Sequence, residues 1–320
     1  FAVRSDLAAS AQAILEETVL AAGRRARKQT SKPYLAYGGG VALNGVANHR
    51  LRADCGFKEV FVFPASGDNG LSCGAALYGT HHILERPRPE PSWSNAARFA
   101  FGGRSYAQEE IEAAYADAPV AARSHAGNAE VDHELVDRLM AGEVVAVFRG
   151  GAEFGPRALG HRSLLALPWT RSIQARMNAI KQRETFRPFA PIVLEEEASE
   201  YFDLVGPSPF MLDIAPIRAA HRTKLAGVAH VDGTARVQTV GPSGCDFMRK
   251  VLLRLKALRE PPIVLNTSFN LKGRPIVETP KDAVTAFIHL DVNALLLERT
   301  WLEKHTALPQ IRTGLMRHGY

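Results

Sequence analysis

The chain has 320 residues, 46% of them hydrophobic and 22% charged, which is a globular composition with length for about two domains. A net charge of +6 and an isoelectric point near 9.3 suit any polyanionic ligand, nucleic acid included. Three cysteines (Cys55, Cys73, Cys245), none in a Cys-x-x-Cys pair, exclude a disulfide scaffold or zinc ribbon and point to a reducing, cytoplasmic setting. No apolar run approaches the roughly 18 residues of a membrane span, so no membrane partner is expected.

In chain order, Ser5 is placed to cap a helix with Leu7, Ala11, Ile14, Leu15 and Val19 at helical spacing, ending near Gly23 and followed by a basic loop (Arg24, Arg25, Arg27, Lys28). The chain opens on Phe1 with no signal-peptide h-region, and the N-terminus is expected to be a cut in mid-domain. Tyr34–Tyr37 predicts a strand running into Gly38, Gly39 and Gly40. Val60–Phe63 predicts a second, and Leu71–Tyr78 a small-residue helix. Glu85–Trp93, with three prolines among polar residues, is the linker candidate. Helices are then expected over Asp132–Met140, over Thr170–Gln182 and after Thr279, where Pro280 and Asp282 mark a helix start. Strands are expected over Val144–Phe148, Ile263–Leu265 and Ala294–Leu297. Alternating strands and helices indicate an α/β protein.

The most informative text lies between Val144 and Pro191. From Arg149 to Arg187 it carries eight Lys/Arg against two acids, Glu153 and Glu184, interleaved with apolar residues, glycines and prolines. Cations in such company are partly buried and need anionic partners to offset desolvation. A guanidinium fork pairs well with phosphate or carboxylate, so a phosphate-rich small substrate is the first expectation, ahead of a nucleic-acid surface or solubilising charge. Arg157 is presented by Gly155-Pro156, and Lys181, Arg183 and Arg187 follow an amphipathic helix.

Three other segments carry candidate chemistry. Gly38-Gly39-Gly40 through Asn44 follows a strand and suits either backbone approach to a nucleotide or a tight strand-to-helix turn. Asp68, in Gly67-Asp68-Asn69-Gly70, is either a metal or Mg-nucleotide ligand or a turn residue. Asn266-Thr-Ser268-Phe-Asn270 ends a buried strand, a common place for ligand contacts, and Arg236 adds a cation between apolar residues. No HxxxH or HxxH pair and no GxSxG occur, so neither a local two-histidine metal site nor a serine nucleophile elbow is encoded.

Taken in order, GGVALN, PASGDNG, EFGPRALGHRS, KQRETFRPFAP, HVDGTARVQTV and NTSFNLKGRPIVETP resemble the O-carbamoyltransferases of the NodU/CmcH type, over roughly Asp6 to Leu297. The resemblance implies the end of an actin/Hsp70-like (Kae1-like) transfer domain over 1–84, a connecting segment over 85–130, and a YrdC-like α/β domain with a twisted mixed sheet over 131–320. It implies that the second domain makes carbamoyladenylate from carbamoyl phosphate and ATP with Mg. The first would pass the carbamoyl group to a hydroxyl of a sugar, aminoglycoside or other natural product. By motif, Lys181, Arg236, Ser268 and Asn266 take catalytic positions. Arg157, Arg183, Arg187, Asn270, Gly39, Gly40 and Asn44 take substrate- and nucleotide-binding ones. Asp68 matches a ligand of an iron or other divalent metal whose histidine partners are absent here, so that site is expected to be incomplete and transfer impaired unless a separate N-terminal half complements the chain. Chemically, charge gathers as carbamoyl and ATP phosphates meet, so fixed cations are the expected catalyst.

Two positions depart from the family's pattern, one being Ala166-Leu167-Pro168, where the family has an acidic residue before the proline. Gly151 stands where the family has Arg, leaving one cation missing unless Arg149 supplies it. The alternatives are a threonylcarbamoyl-adenylate enzyme of tRNA modification, against which the upstream GGVALN and DNG segments argue, an RNA-binding module, and an inactive scaffold subunit. Nucleic acid is not the expected partner.

Overall fold

The computed structural model of the chain describes residues 2–88 and 100–305. The strands are β1 Tyr34–Tyr37, β2 Glu59–Val62, β3 Val120–Ser124, β4 Val145–Phe148, β5 Arg162–Ala166, β6 Ala190–Leu194, β7 Asp213–Pro216, β8 Thr234–Val240, β9 Ile263–Ser268, β10 Ala294–Leu297 and β11 Thr300–Lys304. The helices are α1 Ala2–Thr30, α2 Gly45–Asp54, α3 Leu71–Tyr78, α4 Gln108–Tyr115, α5 Asn128–Met140, α6 Arg171–Ile180, α7 Ala198–Tyr201, α8 Asp246–Ala257 and α9 Pro280–His289.

Strands β3 to β11 join in one mixed sheet of order β3-β11-β10-β4-β5-β9-β6-β8-β7. Its central strands β4, β6 and β10 read as unbroken apolar runs because every position is buried, as a sheet covered on both faces requires. Strand alternation sends Ala146 and Phe148 toward Ile111 of α4, Met177 of α6 and Phe287 of α9. Val145 and Val147 face the opposite way, onto Leu135 of α5 and Leu252 of α8. The start of α9 is as its sequence predicts: Thr279 Oγ1 accepts the Asp282 N–H at 3.1 Å, and the Asp282 carboxylate accepts the Thr279 N–H at 3.0 Å.

Register places the chemistry on one edge of this sheet. Strand β5 runs antiparallel to both neighbours, pairing Arg162 with Phe148 and Ser163 with Ser268. Ala190 pairs with Asn266, and Ile192 with Gln238 of the parallel β8, so Arg236 lies level with the start of β6. The ends of β4 and β9 and the starts of β5, β6 and β8 therefore converge.

The first 88 residues form a smaller unit around the parallel pair β1–β2. Its core residues Leu20, Leu51 and Val62 join Leu159, Phe210 and Leu212 of the large-sheet unit in one cluster. Asn48, fully buried, donates to the carbonyls of Ala42 and Leu212, both at 2.8 Å. Asp213, buried at the start of β7, receives His49 Nδ1 at 3.0 Å and Arg52 at 3.2 Å. A buried carboxylate needs such partners, and here both come from α2.

Several expectations are corrected. The first helix does not end at Gly23 but runs to Thr30, so the basic loop is helical; Gly23 persists inside it because Leu51 and Cys55 of the α2 segment pack against its α-carbon. Its expected apolar stripe is only partly used, since Leu7 and Ile14 are 66% and 68% exposed. The connecting segment 85–130 contains α4 and β3, and β3 is the edge strand paired with β11. The linker candidate Glu85–Trp93 lies mostly outside the described residues. Among the described residues no helix is long and apolar enough to cross a membrane.

Candidate functional site

The chain leaves β4 at Phe148 and returns into β5 at Arg162 through the glycine- and proline-rich loop 149–161. Its backbone is fastened from beneath by side chains of the sheet. Arg162, fully buried, donates to the carbonyls of Arg149 at 3.0 Å, Gly150 at 2.8 Å and His161 at 3.2 Å, with its guanidinium 3.4 Å from the Phe148 ring centroid. Asn266 Nδ2 donates to the Ala158 carbonyl at 2.8 Å, and Gln238 Nε2 to the Leu159 carbonyl at 2.9 Å. Phe154 meets Phe63 of the smaller unit edge to face, 6.2 Å between centroids, so the loop adds a further contact between the two units.

Lys181 closes the C-terminal end of α6 and reaches across to the end of β9. Its Nζ donates to the Ser268 and Asn270 carbonyls, both at 2.8 Å, and to Asn270 Oδ1 at 2.6 Å. Ser268 Oγ donates to the same Asn270 oxygen at 2.6 Å. Burial, with the neighbouring Arg183, pushes the Lys181 ammonium down to about 7.

Three guanidinium groups accompany it. Arg183 lies over the Phe189 ring at 4.4 Å and donates Nε–H to Asn178 Oδ1 at 2.8 Å. Burial lowers the pKa of Arg157, of Arg183 and of Arg236, which falls to about 10; for Arg236 the charges of Arg157 and Arg183 add to the effect. Arg157 Nε is buried without a hydrogen-bond partner. Among the described residues no carboxylate comes within ion-pair distance of Lys181, Arg157, Arg183 or Arg236, although 17 Lys/Arg–carboxylate pairs are formed elsewhere. Desolvated cations gathered without an acid have the chemistry to receive an oligoanion.

The other expected residues fall differently. Arg187 is exposed and paired with Glu184 at 2.9 Å, at the rim of the cluster. Asn266, expected to orient substrate, has its amide engaged by the loop carbonyl, with Oδ1 buried and unpartnered. Gly39 adopts φ +101 and its N–H donates to the Ser66 carbonyl at 2.8 Å, while Gly40 begins a 3-10 turn. Asn44 caps α2 through Ala47 N–H at 3.1 Å and exchanges hydrogen bonds with Gln12, so its side chain serves a helix start. Asp68 is exposed in a 3-10 turn, and among the described residues no group of three His, Cys, Asp or Glu stands together. A single carboxylate does not hold iron.

Arg149 does not replace the missing cation at position 151. It pairs with Asp132 at 2.8 Å, donates to Asn128 Oδ1 at 2.9 Å and covers the Phe247 ring, on the α5–α8 side. Sequence reasoning gave no role to Arg162 or Gln238. Their signal is a charged or amide residue inside an otherwise apolar strand.

Sequence similarity to known proteins places the chain in a family. The chain matches the model described as carbamoyltransferase N-terminus over residues 2–77 and carbamoyltransferase C-terminus over 136–304. The chain belongs to the carbamoyltransferase family. It is 38% identical to protein sll1178 of Synechocystis sp. over 95% of this chain and 53% of that one. It is 36% identical to nodulation protein NolNO of Sinorhizobium fredii, over 95% and 45% of the two chains. To the 3'-hydroxymethylcephem-O-carbamoyltransferase of Amycolatopsis lactamdurans it is 33% identical, over 91% and 52%. The chain thus spans about half the length of the curated relatives it matches. Among solved structures, full-length HypF aligns at 15% identity and a TM-score of 0.37 over 75% of this chain and 36% of that one, too slight a likeness to carry argument.

Proposed function

We propose that the cation cluster at the sheet edge binds carbamoyl phosphate and Mg-ATP and forms carbamoyladenylate, the carbamoyl donor for a hydroxyl acceptor. Carbamoyl phosphate, ATP and water give carbamoyladenylate, phosphate and pyrophosphate; the acceptor hydroxyl then takes the carbamoyl group and AMP leaves. The observation that carries this reading is the absence of any acidic partner for Lys181, Arg157, Arg183 and Arg236 among the described residues. Fixed guanidinium groups lower the barrier by meeting charge that builds on the phosphates, with no reorganisation at the moment of reaction. Ser268 Oγ and the Lys181 ammonium are donors held ready on the Asn270 oxygen. The family supports carbamoyl transfer, and the O-carbamoyltransferase activity of the cephem relative supports a hydroxyl acceptor.

In this reading the large-sheet unit is the YrdC-like domain and the smaller unit belongs to a Kae1-like transfer domain. The smaller unit brings Asp68 alone toward a divalent metal, so the remaining ligands would come from outside the described residues. The test is pyrophosphate release from ATP by the purified chain, with and without carbamoyl phosphate. Carbamoyl-phosphate-dependent release, lost in Arg236→Ala and Ser268→Ala, is expected. Release that ignores carbamoyl phosphate, or survives both substitutions, overturns the assignment.

A further inference from the structure

Glu153 shares the loop of Arg157, and a carboxylate beside an oligoanion site is unfavourable unless its charge is already engaged. Here it is engaged. Glu153 Oε1 accepts the backbone N–H groups of Leu159 at 2.7 Å, His161 at 2.8 Å and Arg162 at 3.2 Å. All three lie beyond Arg157 in the chain. One side chain thus ties residue 153 to residues 159–162 and closes residues 154–158 into a loop. Three N–H donors on one carboxylate oxygen offset the burial of its charge.

The closed loop is pinned at further points, all on its backbone. Gly155 takes φ +136, and a Cβ there would lie 2.7 Å from the Pro64 carbonyl oxygen. Gly160 donates its N–H to Ser163 Oγ at 3.0 Å, and the Ala158 and Leu159 carbonyls are held by Asn266 and Gln238. Glu153 joins the two stems at residues 153 and 159–162, next to the segment that carries Arg157; the Arg149 N–H on the His161 carbonyl at 3.0 Å and His161 Nδ1 on the Gly151 carbonyl at 2.8 Å join them at the base, and the remaining fastenings hold the loop to the sheet or to the smaller unit. Among the described residues no hydrogen bond holds the Arg157 side chain, whose Nε is buried and unpartnered.

We propose that Glu153 is a positioning residue for the anion site: it touches no substrate and acts by closing the loop, so that Arg157 presents its guanidinium beside Arg183 and Arg236. This inference rests on the cluster being an anion site, and its test separates the two. The probe is inorganic tripolyphosphate, titrated calorimetrically into the wild-type chain, Glu153→Asp, Arg157→Ala and the double variant, with melting temperatures recorded for each. Glu153→Asp keeps the charge but withdraws the oxygen by one methylene, and is expected to weaken binding about 10-fold, nearly as much as Arg157→Ala. In the Arg157→Ala background the same substitution is expected to change binding less than about 2-fold. Glu153→Gln, which keeps an acceptor oxygen in place, should restore binding to within about 3-fold of wild type. If Arg157→Ala binds tripolyphosphate like wild type, the anion site itself is wrong. If Arg157→Ala weakens binding but Glu153→Asp weakens it as much again in that background, Glu153 acts on the fold and not through Arg157. Should Glu153→Asp not fold, Glu153→Gln carries the cycle, and its smaller loss must likewise vanish with Arg157→Ala.

Discussion

Lys181 Nζ lies 2.6 Å from Asn270 Oδ1, and Ser268 Oγ reaches the same oxygen at 2.6 Å. A single amide oxygen thus gathers an ammonium and a hydroxyl from two elements that are 87 residues apart in sequence. Carbonyls of Ser268 and Asn270 receive the other two protons of the ammonium, so Lys181 contributes a fixed charge, aimed along the end of β9.

The pH dependence of anion binding follows. Burial holds the free Lys181 ammonium at about 7, and a bound polyanion raises that value. Below pH 7 the charge is present and affinity is flat in pH. Above pH 7 binding must add a proton, so affinity falls by up to about 10-fold per pH unit. Tripolyphosphate titrations from pH 6 to 9 on the wild type and Lys181→Met check this: the fall must be shallower in the variant, which also corrects for titration of the ligand. Parallel curves would mean that Lys181 does not titrate with the anion.

Arg149 and Arg236 are both half-buried arginines at the same sheet edge, with opposite expected effects. Arg149 has an acidic partner in Asp132, and Arg236 has none among the described residues. Arg236→Ala should weaken tripolyphosphate binding by about 10-fold or more, while Arg149→Ala should leave it within about 2-fold. Arg149→Ala should instead destabilise the fold by about 3 kcal/mol, because it strands the buried Asp132 carboxylate. Chemical denaturation alongside calorimetry separates the two.

Local text accounts for part of this arrangement and not the rest. Strand β4, helix α6 and the Thr279–Asp282 start of α9 follow from apolar runs, helical spacing and capping chemistry, which act within a few residues. The strand end carrying Ser268 is likewise legible, because a buried apolar run stops there in polar residues. Strand β5 is not, because its first residue is an arginine that becomes fully buried only when three loop carbonyls close on it. Strand β3 hides in a segment whose residues are mostly exposed, since an edge strand needs little apolar text. The role of Asn266 is equally non-local: its partner Ala158 lies 108 residues away, so sequence offers a plausible substrate amide where the fold makes a loop fastening.

His49 and Asp213 join the two units, and their bond is expected to make stability depend on pH. The hydrogen bond to Asp213 raises the His49 pKa above its ordinary value, against the lowering effect of burial. A raised histidine stabilises the folded state fully below its unfolded pKa near 6.5, and the contribution is lost as pH rises through the folded value. Denaturation at pH 6 should show His49→Gln to be about 1–2 kcal/mol less stable than wild type, and the difference should shrink by pH 8. A difference that does not change with pH would assign the loss to packing.

Gly151 tests whether the missing cation is a deficit or a consequence of packing. A Cβ at this position would lie 2.5 Å from the Gly103 carbonyl oxygen and 2.6 Å from that of Phe101, both backbone atoms that no rotamer change can move. The same stretch is tied to the loop by the Gly103 N–H, which donates to the Ala152 carbonyl at 3.1 Å. Restoring the family's arginine therefore forces residues 101–103 away from the loop that presents Arg157. Gly151→Arg should cost at least about 2 kcal/mol of stability and weaken tripolyphosphate binding despite adding a positive charge. A variant that melts like wild type and binds the anion more tightly would show that residues 101–103 yield, and that the wild-type site is short of one cation.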